Sequence, residues 1–110
     1  MAELRTQRCE VCRPGTPTLP PGEIAELQRE LHGGWSVVDG RMLQRDIKFP
    51  DFASAMARAN QIAGIAEEEG HHPDLRVGWG HLGIDLTTHA AHGLTRNDFI
   101  LAAKIDALES

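Results

Sequence analysis

Asp39-Gly40 is the feature that most constrains this chain. An Asp-Gly pair between extended segments signals a two-residue hairpin loop, because that turn needs positive φ at both central positions. It predicts strands over residues 35–38 and 41–49. In the second strand Leu43, Ile47 and Phe49 share one face, and Gln44, Asp46 and Lys48 take the other. A hairpin with one apolar face cannot stand alone in water, so helices have to cover it.

Helical spacing supplies them. Ile24, Leu27 and Leu31 form a stripe in a helix over 21–32, which Gly33-Gly34 stops. Pro50 ends the second strand, and Asp51 is placed to cap a helix over 52–69. Its expected buried stripe is Phe52, Met56, Ala59, Ala63 and Ala66, widened by Ile62 and Ile65. Gly70 breaks that helix. A strand follows over 75–80 with Leu75, Val77 and Trp79 on one face, while Gly78 and Gly80 leave the other open to close approach. Residues 81–89 alternate: Leu82, Ile84 and Leu86 face one way, and His81, Asp85, Thr87 and His89 the other. Thr95 and Asp98 have capping-box spacing and open a helix over 96–108, with Leu101, Ile105 and Leu108 on one stripe. Phe99 and Ile100 hint at a second buried surface there. The order is α-β-β-α-β-β-α. Short hairpins and segregated helices give an α+β fold with the helices on one face.

The totals set limits. A length of 110 residues argues for one domain, with 21–110 as that domain and 1–20 as a flexible, Pro-rich arm. A formal charge of −5 argues against a nucleic-acid surface, which needs clustered Lys and Arg. No apolar run approaches a membrane span, and the first residues lack the apolar core of a signal peptide, so a soluble cytoplasmic protein is expected. Cys9 and Cys12 form one Cys-x-x-Cys. It lacks the second pair of a structural zinc site, and the prolines around it remove the strand-to-helix context of a redox motif. Two reduced thiols are the plain reading, and a metal shared between subunits is the rival one.

The chemistry concentrates between Glu67 and Asp98, where five of the six histidines fall. Pro73 biases His72 towards extended backbone, so His71 and His72 sit in a tight corner after Gly70. Glu67 to Glu69 place three carboxylates at a helix end that favours cations. They are either a solvated terminus or, through Glu67, a partner that orients the His71 ring. The cap geometry accounts for Asp98 by itself. Imidazoles at two converging corners suit a reaction that gives a proton on one side and takes one on the other. Three imidazoles also suit zinc, but adjacent residues on extended backbone point apart, which sets His71 and His72 against sharing one metal.

Glu67, then three positions, His71-His72-Pro73, then Trp79, His89 and Asp98 are spaced as in the pterin-4a-carbinolamine dehydratases, a family this chain resembles from its first helix onward. Gly34-Trp35 and Asp51-Phe52 fit the same pattern. The resemblance implies a four-stranded antiparallel sheet with three helices, assembled as a homodimer or a homotetramer. It implies a hydro-lyase that dehydrates 4a-hydroxytetrahydrobiopterin to quinonoid dihydropterin, recycling a pterin with no metal and no organic cofactor. It places His71, His72 and His89 in the site as catalytic residues, with Gly70, Thr87, Thr88 and Glu67 around the substrate. His71 and His89 would share the acid and base roles, and His72 would position the ring. Gly70 stands where the family often has Asp or Asn, and Ala90 where an acidic residue can follow the histidine. The rival function is a non-catalytic partner-binding or assembly factor on the same fold.

Overall fold

A computed structural model describes residues 3–109; Met1, Ala2 and Ser110, the outermost residues of the expected arm and domain, lie outside the described residues. The elements are α1 (Pro21–Gln28), β1 (Ser36–Val38), β2 (Met42–Lys48), α2 (Phe52–Glu69), β3 (Asp74–Gly78), β4 (His81–Leu86) and α3 (Arg96–Ala107). The four strands form one antiparallel sheet in the order β1-β2-β4-β3. The α+β architecture and element order are those expected.

The two hairpins meet through their inner strands. Leu43 pairs with Leu86, Arg45 with Ile84, and Ile47 with Leu82. Leu43, Leu82, Ile84 and Leu86 are fully buried against Ile62 of α2 and Phe99, Leu101 and Ile105 of α3. Each such side chain contributes about 1.5–3 kcal/mol relative to exposure. At the first turn Asp39 and Gly40 both take positive φ, as the Asp-Gly pair requires. The Arg41 N–H closes the turn on Val38 O at 3.0 Å. Strand pairing resumes at Val38 with Met42, so Arg41 is one residue more than a two-residue loop needs.

Local signals fix the long helix. Asp51 caps α2 by accepting from Ser54 N at 2.7 Å, and Gly70 ends it in the left-handed region at φ 66°. Its buried stripe is the expected one at Ala59, Ile62 and Ala66 and differs at its other positions. Ala55, Ala59, Ile62 and Ala66 face the sheet, while Phe52, Met56 and Ala63 are exposed. Alanines let the helix lie close to the sheet, and the larger Phe52 and Met56 are turned outward. α1 is one turn shorter than expected, yet Leu31 beyond it is still buried.

Three further differences concern the second hairpin and the segment after it. Trp79 does not continue β3: it lies in the tight turn with Gly80, whose φ is 77°, and is 76% exposed. The face of Gly78 is not open either, because the His81 ring covers it so closely that a Cβ there would come within 2.2 Å of Nε2. β4 ends at Leu86 rather than at 89. Thr88 bridges to Gly93, and His89–Ala91 form a 3₁₀ turn that redirects the chain into α3. His89 therefore sits on a turn instead of a strand.

Two features had no counterpart in the sequence reading. Arg45 is 5% exposed and reaches α3, donating to Asp106 Oδ1 at 2.7 Å and to Glu109 at 2.8 Å; Trp35 Nε1 donates to the same Asp106 oxygen at 2.8 Å. The N-terminal arm, expected to bury little, inserts Leu4 into the core against the outer side of α3. Phe99 and Ile100, which hinted at a second buried surface, are both buried. Farther along the arm, Leu19 N donates to Leu94 O at 2.9 Å.

Candidate active site

The register of the second hairpin brings the two histidine corners together. Asp74 at the start of β3 pairs with Asp85 near the end of β4. Residues just before Asp74 and just after Asp85 therefore meet at one end of the sheet. His71 and His72 arrive there from the C-terminus of α2, and Thr87, Thr88 and His89 from the end of β4. Gly70, His71, His72, Thr87, Thr88, His89 and Ala90 line one cavity of about 290 Å³. Ligand sites run from roughly 300 Å³ upward, so this one suits a small ring system. A hollow of about 660 Å³ lies between α1 and the first turn, lined by His92 but by none of the histidines just named.

The third corner is the start of α3. Thr95 and Asp98 form the expected capping box. Asp98 is fully buried and does more than cap. Its Oδ2 accepts from Thr95 N at 3.0 Å and from Thr88 Oγ1 at 2.8 Å, while Oδ1 accepts from His71 Nε2 at 2.6 Å. Three donors and the positive end of a helix satisfy the buried carboxylate. Thr95 and Thr88 hydroxyls also bond each other at 2.8 Å. With Nε2–H committed to Asp98, neutral His71 keeps Nδ1 as its acceptor.

The other histidines are held differently. Glu67 does not line the cavity and does not reach His71; it bonds His72 Nε2, and both side chains are mostly exposed. Five residues along α2 and its turn, rather than four, align this carboxylate with a ring. His89 is exposed, and among the described residues its ring makes no hydrogen bond. Thr87 donates to Arg41 O at 2.7 Å, which ties the end of β4 to the first turn.

Sequence reasoning missed one wall altogether. Glu10, Val11 and Cys12 of the arm and Asn97 of α3 complete the cavity. Asn97 is 5% exposed; its Oδ1 accepts from Glu10 N at 2.9 Å, and its Nδ2 donates to Glu10 O at 2.6 Å and to Cys12 Sγ at 3.2 Å. Cys9 N donates to Glu69 Oε1 at 2.8 Å. Burial, with Glu69 adjacent, pushes the Cys9 thiol up to about 12, so it stays protonated at neutral pH. The Cys-x-x-Cys was the only signal that this arm was special, and it pointed to metal or redox chemistry rather than to a wall.

Comparison with known proteins places the chain in a family. Residues 17–108 match the family model described as pterin 4 alpha carbinolamine dehydratase. A relative from Rickettsia canadensis, named "Putative pterin-4-alpha-carbinolamine dehydratase", is 45% identical over 97% of this chain and 98% of its own. A relative of the same name from Alkaliphilus metalliredigens is 41% identical over 100% of this chain and 99% of its own. The crystal structure of a transcriptional coactivator/pterin dehydratase from Brucella melitensis superposes with a TM-score of 0.78 at 35% identity, covering 84% of this chain and 99% of that one. A pterin dehydratase-like protein identified as a RuBisCO assembly factor in the alpha-carboxysome superposes at 0.59 with 26% identity, covering 70% of this chain and 90% of its own. On matches that span nearly its whole length, the chain belongs to the pterin-4-alpha-carbinolamine dehydratase family.

Proposed function

We propose that this protein dehydrates 4a-hydroxytetrahydrobiopterin to quinonoid dihydropterin by histidine acid–base catalysis, recycling a pterin cofactor in the cytoplasm. The observation that carries the reading is His71, His72 and His89 around one small cavity, with His71 locked by a buried carboxylate. The N5 lone pair forms the C4a–N5 double bond as the C4a–O bond breaks. An imidazolium gives its proton to the departing oxygen, which leaves as water, and a neutral imidazole takes the N5 proton. His71 is the base, through Nδ1, because Asp98 holds its other nitrogen. His89 is the acid, and its exposure lets it regain a proton from solvent. His72, with Glu67 behind it, positions the ring, and Gly70, Thr87 and Thr88 shape the floor. Each acid or base contributes roughly 10²–10⁴-fold.

Stopped-flow measurement on chemically generated carbinolamine tests this. His71→Ala and His89→Ala should each lower kcat by about a hundredfold or more. Rates equal to the parent in both would remove the assignment.

A second reading has an observation behind it. Phe52 and Met56 are 47% and 36% exposed on the outer face of α2. Side chains of that kind suit a homodimer or homotetramer interface, or a partner surface on an assembly factor. Substituting both with Ser should alter oligomeric state while catalysis persists. Loss of partner capture from a protein without dehydratase activity would favour the assembly role.

A further inference from the structure

Val11 is 86% exposed, yet it stands on the cavity wall between two anchored residues. Glu10 is held through both its backbone groups by the Asn97 side chain, and Cys12 accepts from the same amide nitrogen. The Asn97 amide thus pairs with the arm as a neighbouring strand would. Cys9 is tied on the other side, its N–H to Glu69 and its Sγ to Asn97 O at 3.6 Å. A buried amide making three bonds to one short segment is a docking device. What it docks is an apolar side chain that the described residues leave uncovered. Valine is stiff at χ1, so once its backbone is set it presents a fixed surface.

We propose that Val11 is a substrate-binding residue, packing on a face of the pterin ring opposite the histidines, and that Asn97 is the positioning residue holding it there. This rests on the dehydratase reading for the identity of the ring. A flat heterocycle has two faces, and the histidine corners together with Thr87 and Thr88 supply contacts from the body of the fold only. The arm adds Glu10, Val11 and Cys12 to that lining. Binding energy from Val11 is uniform between substrate and transition state, because the side chain touches no reacting atom. Its loss therefore raises KM and leaves kcat alone.

The test uses the full chain. Val11→Ser should raise KM for the carbinolamine about tenfold, the scale of one lost apolar contact, with kcat within about twofold. Asn97→Ala should shift KM in the same direction, and Val11→Ile should restore the parent value. Val11 is exposed, so the serine variant keeps its fold even where the Asn97 variant does not. An unchanged KM in Val11→Ser, or a fall in kcat with KM constant, overturns the proposal. Calorimetric titration with 7,8-dihydrobiopterin separates it from the dehydratase reading. A parent that binds this probe without turnover sinks the dehydratase, and a tenfold weaker Kd in Val11→Ser still upholds the wall. A parent that neither turns over nor binds the probe sinks both.

Discussion

Asp98→Asn tests the logic of the site with one atom changed. In the parent, Oδ2 accepts from Thr95 N and Thr88 Oγ1, and Oδ1 accepts from His71 Nε2. An asparagine amide has one oxygen and one donor nitrogen. Two donors converge at the Oδ2 position, so the amide oxygen belongs there. The nitrogen then faces His71 Nε2, and two donors meet. The ring resolves this by taking the other tautomer, with Nε2 accepting and the proton on Nδ1. The nitrogen assigned as the base is then already protonated. Removing one general base costs roughly 10²–10⁴-fold, so kcat should fall about 10³-fold. Stability should fall by about 2 kcal/mol, since a charge-assisted bond at a fully buried site becomes a neutral one. That is roughly 10 °C in melting temperature for a domain of this size. Stopped-flow rates and thermal melts on one preparation read both numbers. A folded Asp98→Asn protein with kcat within twofold of the parent would show that His71 does not act through Nδ1.

Other parts of the molecule give sharper stability readouts. Asp106→Ala leaves Arg45, 5% exposed, with Glu109 alone and strips the Trp35 Nε1 partner, so urea unfolding should show a loss of about 3 kcal/mol. Gly70→Ala meets no clash but places a Cβ at φ 66°, so it should cost about 1 kcal/mol and misplace His71, lowering activity more than the melting temperature implies. Glu69 is subject to burial, which raises its pKa, but the Cys9 N–H, Lys104 and Arg8 outweigh this and hold it below the ordinary carboxylate value. A depressed carboxylate stabilises the fold above its ordinary value and loses that contribution as pH falls through the folded one. Glu69→Gln should therefore flatten the acid side of the melting-temperature profile.

What could be read from the chain was what depends on near neighbours. Asp39-Gly40, Asp51, Gly70 and the Thr95–Asp98 box each act within a few residues, and each took its expected conformation. The misread face of α2 shows the limit of hydrophobic patterning. Phe52 and Met56 outrank alanine by apolarity, but close packing selects Ala55 beside the expected Ala59 and Ala66. Arg45 sits on the apolar face of β2 because its partners lie 61 and 64 residues away, a separation no window spans. Asn97 and Glu10 are 87 residues apart, which kept the arm's role out of view. Asp98 was hidden differently. One oxygen accounted for a helix cap, and local spacing could not show that the other bonds His71, 27 residues away.

These long-range partners converge on one turn of helix. Thr95, Asn97 and Asp98 lie within four residues at the start of α3, and each holds a different wall of the cavity. Asp98 holds His71 at the α2 corner, Thr95 and Asp98 hold Thr88 at the end of β4, and Asn97 holds the arm. Helix starts leave backbone donors unsatisfied, so buried polar side chains gather there for structural reasons alone. Here the same groups carry a second set of bonds outward to the cavity. Site geometry is thereby coupled to the first turn of α3 rather than to the apolar core. Loosening that turn would separate the three walls while Leu43, Ile84 and Ile105 stayed packed. A chain of this length places a multi-walled site on a small core by using one helix terminus twice.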